Sequence, residues 1–240
     1  LDFLHNRLHL VHTDLKPENI LSDRWKDTKR SNFLPLREDS FKAKNDESNL
    51  FFIRLCDFGG CQKESSQGGK HIIQTRHYRS PEVILHAGWH ADADMWSVGC
   101  IVYELATGKL LYDSHLDIEQ IAIMSKHLGS DSVQFRRWRK VIPREYYDWF
   151  TRDGELIWPP KMCKYWKSEK DYAETLDRVN RQKPIGALLR EKLGPCPLLE
   201  DFITKCLRWD PCERLTAREG LRHEFLKEAA ADFKEFRESG

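Results

Sequence analysis

The chain has 240 residues, 40% of them apolar, with 39 basic and 38 acidic residues and a formal net charge of +1. That length suits one large domain or two small ones. The charge balance excludes a generally nucleic-acid-coating surface, and no apolar run approaches the ~20 residues of a membrane span.

The first ten residues, LDFLHNRLHL, lack signal-peptide anatomy, and the first methionine is Met95, so a fragment, an excerpt or a processed product is expected. Residues 1–8 read as the tail of a helix. HLVHTD and NILS read as short strands on either side of a polar loop, and residues 22–50 as an insertion or long loop. LFFIRLCDF, residues 50–58, is apolar and β-branched enough to predict a buried strand. The Gly/Ser-rich GGCQKESSQGGK after it predicts a mobile segment.

From Asp92 to Thr107 the apolar residues Met95, Trp96, Val98, Ile101, Val102 and Leu105 go nearly all round a helix, which predicts a buried central one. Asp92 is expected as its N-cap and Gly108 just past its end. A second helix is expected over 117–128. Residues 131–196 read as an irregular insert, with a hairpin turning at Asp153-Gly154. Helices return at about 198–208 and 216–236.

Seven scattered cysteines without a CxxC pair point to reduced thiols inside the cell. His86, His90, Asp92 and Asp94 crowd one stretch, but mixed donors without a tight spacing are a weak metal signature. The basic-aromatic run FRRWRK, residues 135–140, reads as a solvated face or a docking patch for an acidic partner, and no direct nucleic-acid binding is expected.

The chemistry concentrates in LVHTDLKPENIL, residues 10–21. Asp14, Lys16 and Asn19 lie at i, i+2 and i+5 in a Pro-broken segment, so a carboxylate, an ammonium and an amide can converge on one pocket. Singly, each is also an ordinary solvated turn residue. The tripeptide DFG at Asp57 changes that balance, because a carboxylate at a strand end beside glycine suits magnesium, which takes hard oxygen ligands. HxDxKxxN followed by DFG resembles the protein-kinase signature, and Ser80-Pro81-Glu82, Asp94–Gly99 and Asp210–Arg214 follow in the order that family uses.

HTDLKPENIL, TRHYRSPEVIL and GWHADADMWSVGC resemble the LAMMER (Clk-type) branch of the CMGC kinases, and EQIAIMSKHLG, residues 119–129, is similar to that branch's namesake stretch. A DYRK-like kinase is the alternative, but its activating tyrosine would fall at Ile72. The resemblance implies an α+β chain: the mainly α-helical large (C-terminal) lobe of the kinase fold with short β-hairpins, without the small lobe. It implies Asp14 as base, Lys16 as the cation at the transferring phosphoryl group, and Thr75 as the threonine contacting both, the mark of Ser/Thr acceptors. Asn19 and Asp57 are implied as magnesium ligands and Leu21 as the residue beneath adenine, with ATP and Mg²⁺ as cofactors. Glu82 and Arg214 are implied as a buried ion pair, and Asp94 as an acceptor for the catalytic-loop backbone.

By the same resemblance the partners are protein substrates, Arg/Ser-rich splicing factors among them, in the nucleus or cytoplasm. Thr13 stands where many kinases carry an arginine for a loop phosphate, and a threonine cannot make that pair. No Gly-x-Gly-x-x-Gly occurs in the chain. Two readings therefore stand: a kinase whose small lobe lies outside this chain, and a large-lobe-only binding or decoy module inactive on its own.

Overall fold

The computed structural model describes residues 1–22, 53–64, 68–160 and 166–227. Most of the expected 22–50 insertion and the far end of the 216–236 helix lie outside these residues.

A π-helical turn, Leu4–Leu8, leads into β1 (Leu10–Val11). A 3₁₀ turn, Pro17–Asn19, leads into β2 (Ile20–Ser22); the fixed φ of Pro17 suits its place at the first turn position. β3 (Ile53–Leu55) pairs antiparallel with β2, Leu21 opposite Arg54. β4 (Gln62–Lys63) pairs antiparallel with β1, Leu10 opposite Lys63. These are two separate two-stranded ribbons. β3 is therefore not the buried strand its composition predicts: Ile53 is 65% exposed, because no second layer covers this two-stranded ribbon among the described residues. The Gly/Ser-rich stretch after it is anchored on both described sides, by β4 and by a Gly69–Trp89 bridge.

The rest is helical: α1 (Pro81–Ile84), α2 (Asp92–Thr107), α3 (Asp117–Leu128), α4 (Ser132–Trp138), α5 (Glu169–Asn180), α6 (Ile185–Leu193), α7 (Pro197–Cys206) and α8 (Ala217–Gly220). α2 is the central post. Ten of its residues are buried, Trp96 and Cys100 almost completely, while Leu105 faces out. Gly99 lets α7 cross closely, since a Cβ there would sit 2.9 Å from that of Cys206. Gly108, at φ 69°, ends α2 in the left-handed conformation that only glycine adopts freely. Asp92 does not cap α2. Ala91 holds the capping position, and the Asp92 carboxylate turns instead toward Arg214, 3.6 Å away.

The expectation of an irregular insert over 131–196 is corrected by α4, α5, α6 and a 3₁₀ stretch at Arg144–Trp149. α5 escaped notice because it is so polar, burying only Thr175 and Val179. Its start is marked by Ser168, whose hydroxyl accepts from Asp171 N at 3.1 Å. Residues 149–157 do turn back at Asp153-Gly154, with Thr151 N donating to Glu155 O at 2.8 Å. The core joins α2, α3, α6 and α7 to an aromatic group in which the Phe135 ring lies 4.6 Å from Phe150 and 4.8 Å from Trp209.

Candidate active site

The loop between β1 and β2 is extended at Lys16, so successive side chains alternate in direction. Leu15 enters the core, 2% exposed, while Asp14 and Lys16 stay partly exposed. Lys16 Nζ donates to Asp14 Oδ2 at 2.7 Å and to Thr75 Oγ1 at 3.2 Å. The Thr75 hydroxyl and amide both donate to Asp14 Oδ1, at 2.7 and 3.0 Å. A carboxylate, an ammonium and a hydroxyl thus close one ring of hydrogen bonds across 61 residues of sequence.

Partial burial pushes the Asp14 carboxyl up, but the hydrogen bonds from Lys16 and Thr75 outweigh it and hold the group below its ordinary value. The Lys16 ammonium is held above its ordinary value mainly by its bond to Asp14. Asp14 is thus a weak base and a well-oriented acceptor, which suits fixing a substrate hydroxyl in line for attack.

Asn19 is buried, and its amide donates to Asp14 O at 2.9 Å, which leaves the amide oxygen as the group a cation would use. Cys56 N donates to Asn19 O at 3.0 Å, so the β2–β3 ribbon sets Asp57 one residue from the partner of Asn19. Two hard oxygen donors, Asn19 just before β2 and Asp57 just after β3, with Asp57 exposed, fit a magnesium ion that keeps waters and phosphates in its shell. Leu21 is 53% exposed on the same ribbon.

The ring is braced from below by α2. Asp94, wholly buried, accepts from His12 N at 2.8 Å and Thr13 N at 3.0 Å and pairs with His5 Nε2 at 2.8 Å. His12 Nε2 donates to Cys56 O at 3.1 Å, and its ring meets Phe58 edge-on at 5.3 Å. Gln74 joins the brace, its side-chain amide donating to Ala93 O at 2.7 Å and Ser97 Oγ at 3.0 Å. His5 and Gln74 carry no local sequence signal for this role, since Asp94, Ala93 and Ser97, the α2 groups they bond, are distant in the chain.

Other residues singled out in the sequence lie apart from the ring. His86 binds Lys70 O at 2.8 Å and His90 lies 3.7 Å from Glu64. In the basic-aromatic run, Phe135 and Trp138 are core residues, while Arg137 pairs with Asp210 at 2.8 Å. Arg139 covers the Tyr147 ring at 4.8 Å.

Comparison with known proteins gives this geometry its family. The protein kinase domain matches residues 1–226. The chain is 37% identical over 228 residues to the serine/threonine-protein kinase AFC2 of Arabidopsis thaliana, covering 93% of this chain and 49% of that protein. Against the dual specificity protein kinase lkh1 of Schizosaccharomyces pombe it is 37% identical over 225 residues, covering 93% and 30%. For the dual specificity protein kinase CLK1 of Homo sapiens the figures are 34% over 231 residues, covering 94% and 42%. The chain therefore spans half or less of the length of these three relatives. A crystal structure of a kinase domain superposes with a TM-score of 0.67 at 27% identity, covering 93% of this chain and 61% of that one. The chain belongs to the protein-kinase family and, within it, is related to the LAMMER (Clk-type) kinases of the CMGC group.

Proposed function

We propose that this chain is the acceptor-side, large-lobe part of a LAMMER-type serine/threonine kinase with dual-specificity relatives. The observation that carries this reading is Thr75 held between Asp14 and Lys16, an arrangement suited to presenting a hydroxyl acceptor. Asp14 accepts the hydrogen bond of the attacking hydroxyl, Lys16 faces the transferring group, and Asn19 and Asp57 hold magnesium. Bound Mg²⁺·ATP supplies the phosphoryl group and neutralises charge on its oxygens. In this proposal the glycine-rich cover and its phosphate-holding lysine come from outside these 240 residues, and Leu21 is the apolar floor for adenine. Arg/Ser-rich splicing-factor segments are the substrate class to test, and an intracellular site, nuclear by resemblance to LAMMER kinases, accompanies it.

The test has two arms. The 240-residue chain alone is expected to transfer no phosphate from ATP to an Arg-Ser peptide, because without a lid the site cannot exclude water. The same peptide is expected to be phosphorylated once the small-lobe portion is supplied. Failure of the complemented enzyme on every Ser, Thr and Tyr peptide would leave a binding or decoy module as the better reading.

A further inference from the structure

Thr13 is 4% exposed and sits at φ 72°, in the left-handed region. A β-branched residue there is strained, and such strain persists where the surroundings over-determine it. All of its polar groups are engaged. Its N–H donates to Asp94 Oδ1 at 3.0 Å, its Oγ1 donates to Gly60 O at 2.8 Å, and its carbonyl accepts from Gln74 N at 2.8 Å.

Two of those partners, Gly60 and Gln74, lie near the two ends of one segment. Gly60 lies three residues after Asp57, Gln74 lies directly before Thr75, and Thr13 itself precedes Asp14. Asp57 and Gln74 are also left-handed, at φ 63° and 62°, so three strained residues belong to this small region. Between them the segment is tied down by β1–β4 pairing, by Ala91 N to Glu64 Oε1 at 3.1 Å, by His86 to Lys70 O and by Trp89 Nε1 to His71 O at 2.9 Å.

We infer that the Thr13 hydroxyl is a positioning group, a latch that, together with the Thr13 carbonyl, holds Gly60 and Gln74, and with them Asp57 and Thr75, in register with Asp14. It makes this tie with a neutral hydrogen bond to backbone, Oγ1 to Gly60 O. The catalytic consequence rests on the proposed function; the latch itself is a property of the folded chain.

Hydrogen–deuterium exchange on the 240-residue protein separates the hydroxyl from the methyl group. Thr13→Val keeps the branching and removes the donor, while Thr13→Ser keeps the donor and removes the methyl. In the Val variant the amides of Cys61–Glu64 are expected to exchange about threefold to tenfold faster, the worth of one hydrogen bond. The Ser variant is expected to stay near wild type. The reverse order, or no change in either, overturns the latch. If the Val variant does not fold, comparing Thr13→Ala with Thr13→Ser isolates the hydroxyl in the same way, and equal exchange in those two overturns it. In the complemented enzyme, Thr13→Val is expected to lower kcat and raise the Mg²⁺ requirement, with the peptide KM unchanged. A wild-type enzyme that transfers no phosphate would refute the proposed function while leaving the exchange result standing.

Discussion

Arg214 and Glu82 form a two-pronged ion pair sealed from solvent, Nη1 to Oε1 and Nη2 to Oε2 both at 2.6 Å, across 132 residues of sequence. Arg214 also lies 5.0 Å above the Trp96 ring and donates to Arg208 O at 2.8 Å. Burial alone would lower the guanidinium's pKa, but Glu82 outweighs it and holds the group fully charged. The pair clamps α1, the end of the 57–82 segment, to the loop after α7. Arg214→Ala strands a buried carboxylate and should cost about 3–5 kcal/mol in urea unfolding. An unchanged unfolding midpoint would show that the pair carries no stability. Arg214→Lys should also destabilise, because an ammonium cannot make the fork.

Asp14 and Asp57 should separate in kinetics. In the complemented enzyme, Asp14→Asn should lower the rate of phosphoryl transfer by at least ~10²-fold. ATP affinity should hardly move, because Asp14 contacts Lys16 and Thr75 on the acceptor side. Asp57→Asn should weaken magnesium-dependent nucleotide binding, read by calorimetry with and without Mg²⁺. Equal rates for wild type and Asp14→Asn would remove Asp14 from the chemistry.

His127 on α3 predicts an acid-sensitive fold. Its Nε2 donates to Gln182 Oε1 at 2.9 Å, and its buried Nδ1 has no partner among the described residues, so protonation would create a donor that none of them receives. Burial pushes its pKa down from 6.5 to about 4, with the Gln182 bond opposing. The folded value lies below the unfolded one. The contribution is therefore fully present above pH 6.5 and is lost as pH falls toward about 4, roughly 3 kcal/mol in all. His127→Gln should flatten the stability curve across that window. An identical pH dependence in wild type and variant would count against it.

Loop phosphorylation should have little effect. Thr13 offers no cation, and the two arginines that could substitute are engaged: Arg76 with Asp117 at 2.5 Å, Arg79 with Gln74 O at 2.9 Å and Ile73 O at 3.1 Å. Phosphatase treatment of the complemented enzyme should leave its activity within about twofold, since no charge-assisted phosphate contact is there to lose. A large loss would identify a phosphate receiver elsewhere in the chain.

The chemical loop was legible because its signal is local. Asp14, Lys16, Asn19 and the Asp57 tripeptide sit at short fixed spacings, and α2 and α3 advertise themselves by their density of apolar residues. α5 was not legible, since it buries only Thr175 and Val179 and its stretch reads as polar by composition. The strand at 53–55 was misread as buried because composition reports what a residue prefers and not whether a second layer exists to cover it. Asp92 illustrates the same limit: an acid at a helix start has a local use as a cap, and a distant arginine outcompeted that use.

By itself, then, the sequence pointed to the loop of Asp14, Lys16 and Asn19 as the candidate site and to a buried helix at 92–107, because residue type and short spacing suffice for both. Only the tertiary structure decided how Thr75 reaches Asp14 across 61 residues, and that Thr13 joins Gly60 to Gln74. Such contacts depend on where the chain returns after long excursions. That is set by packing around α2 and by the ion pair of Glu82 with Arg214, and no local pattern encodes it.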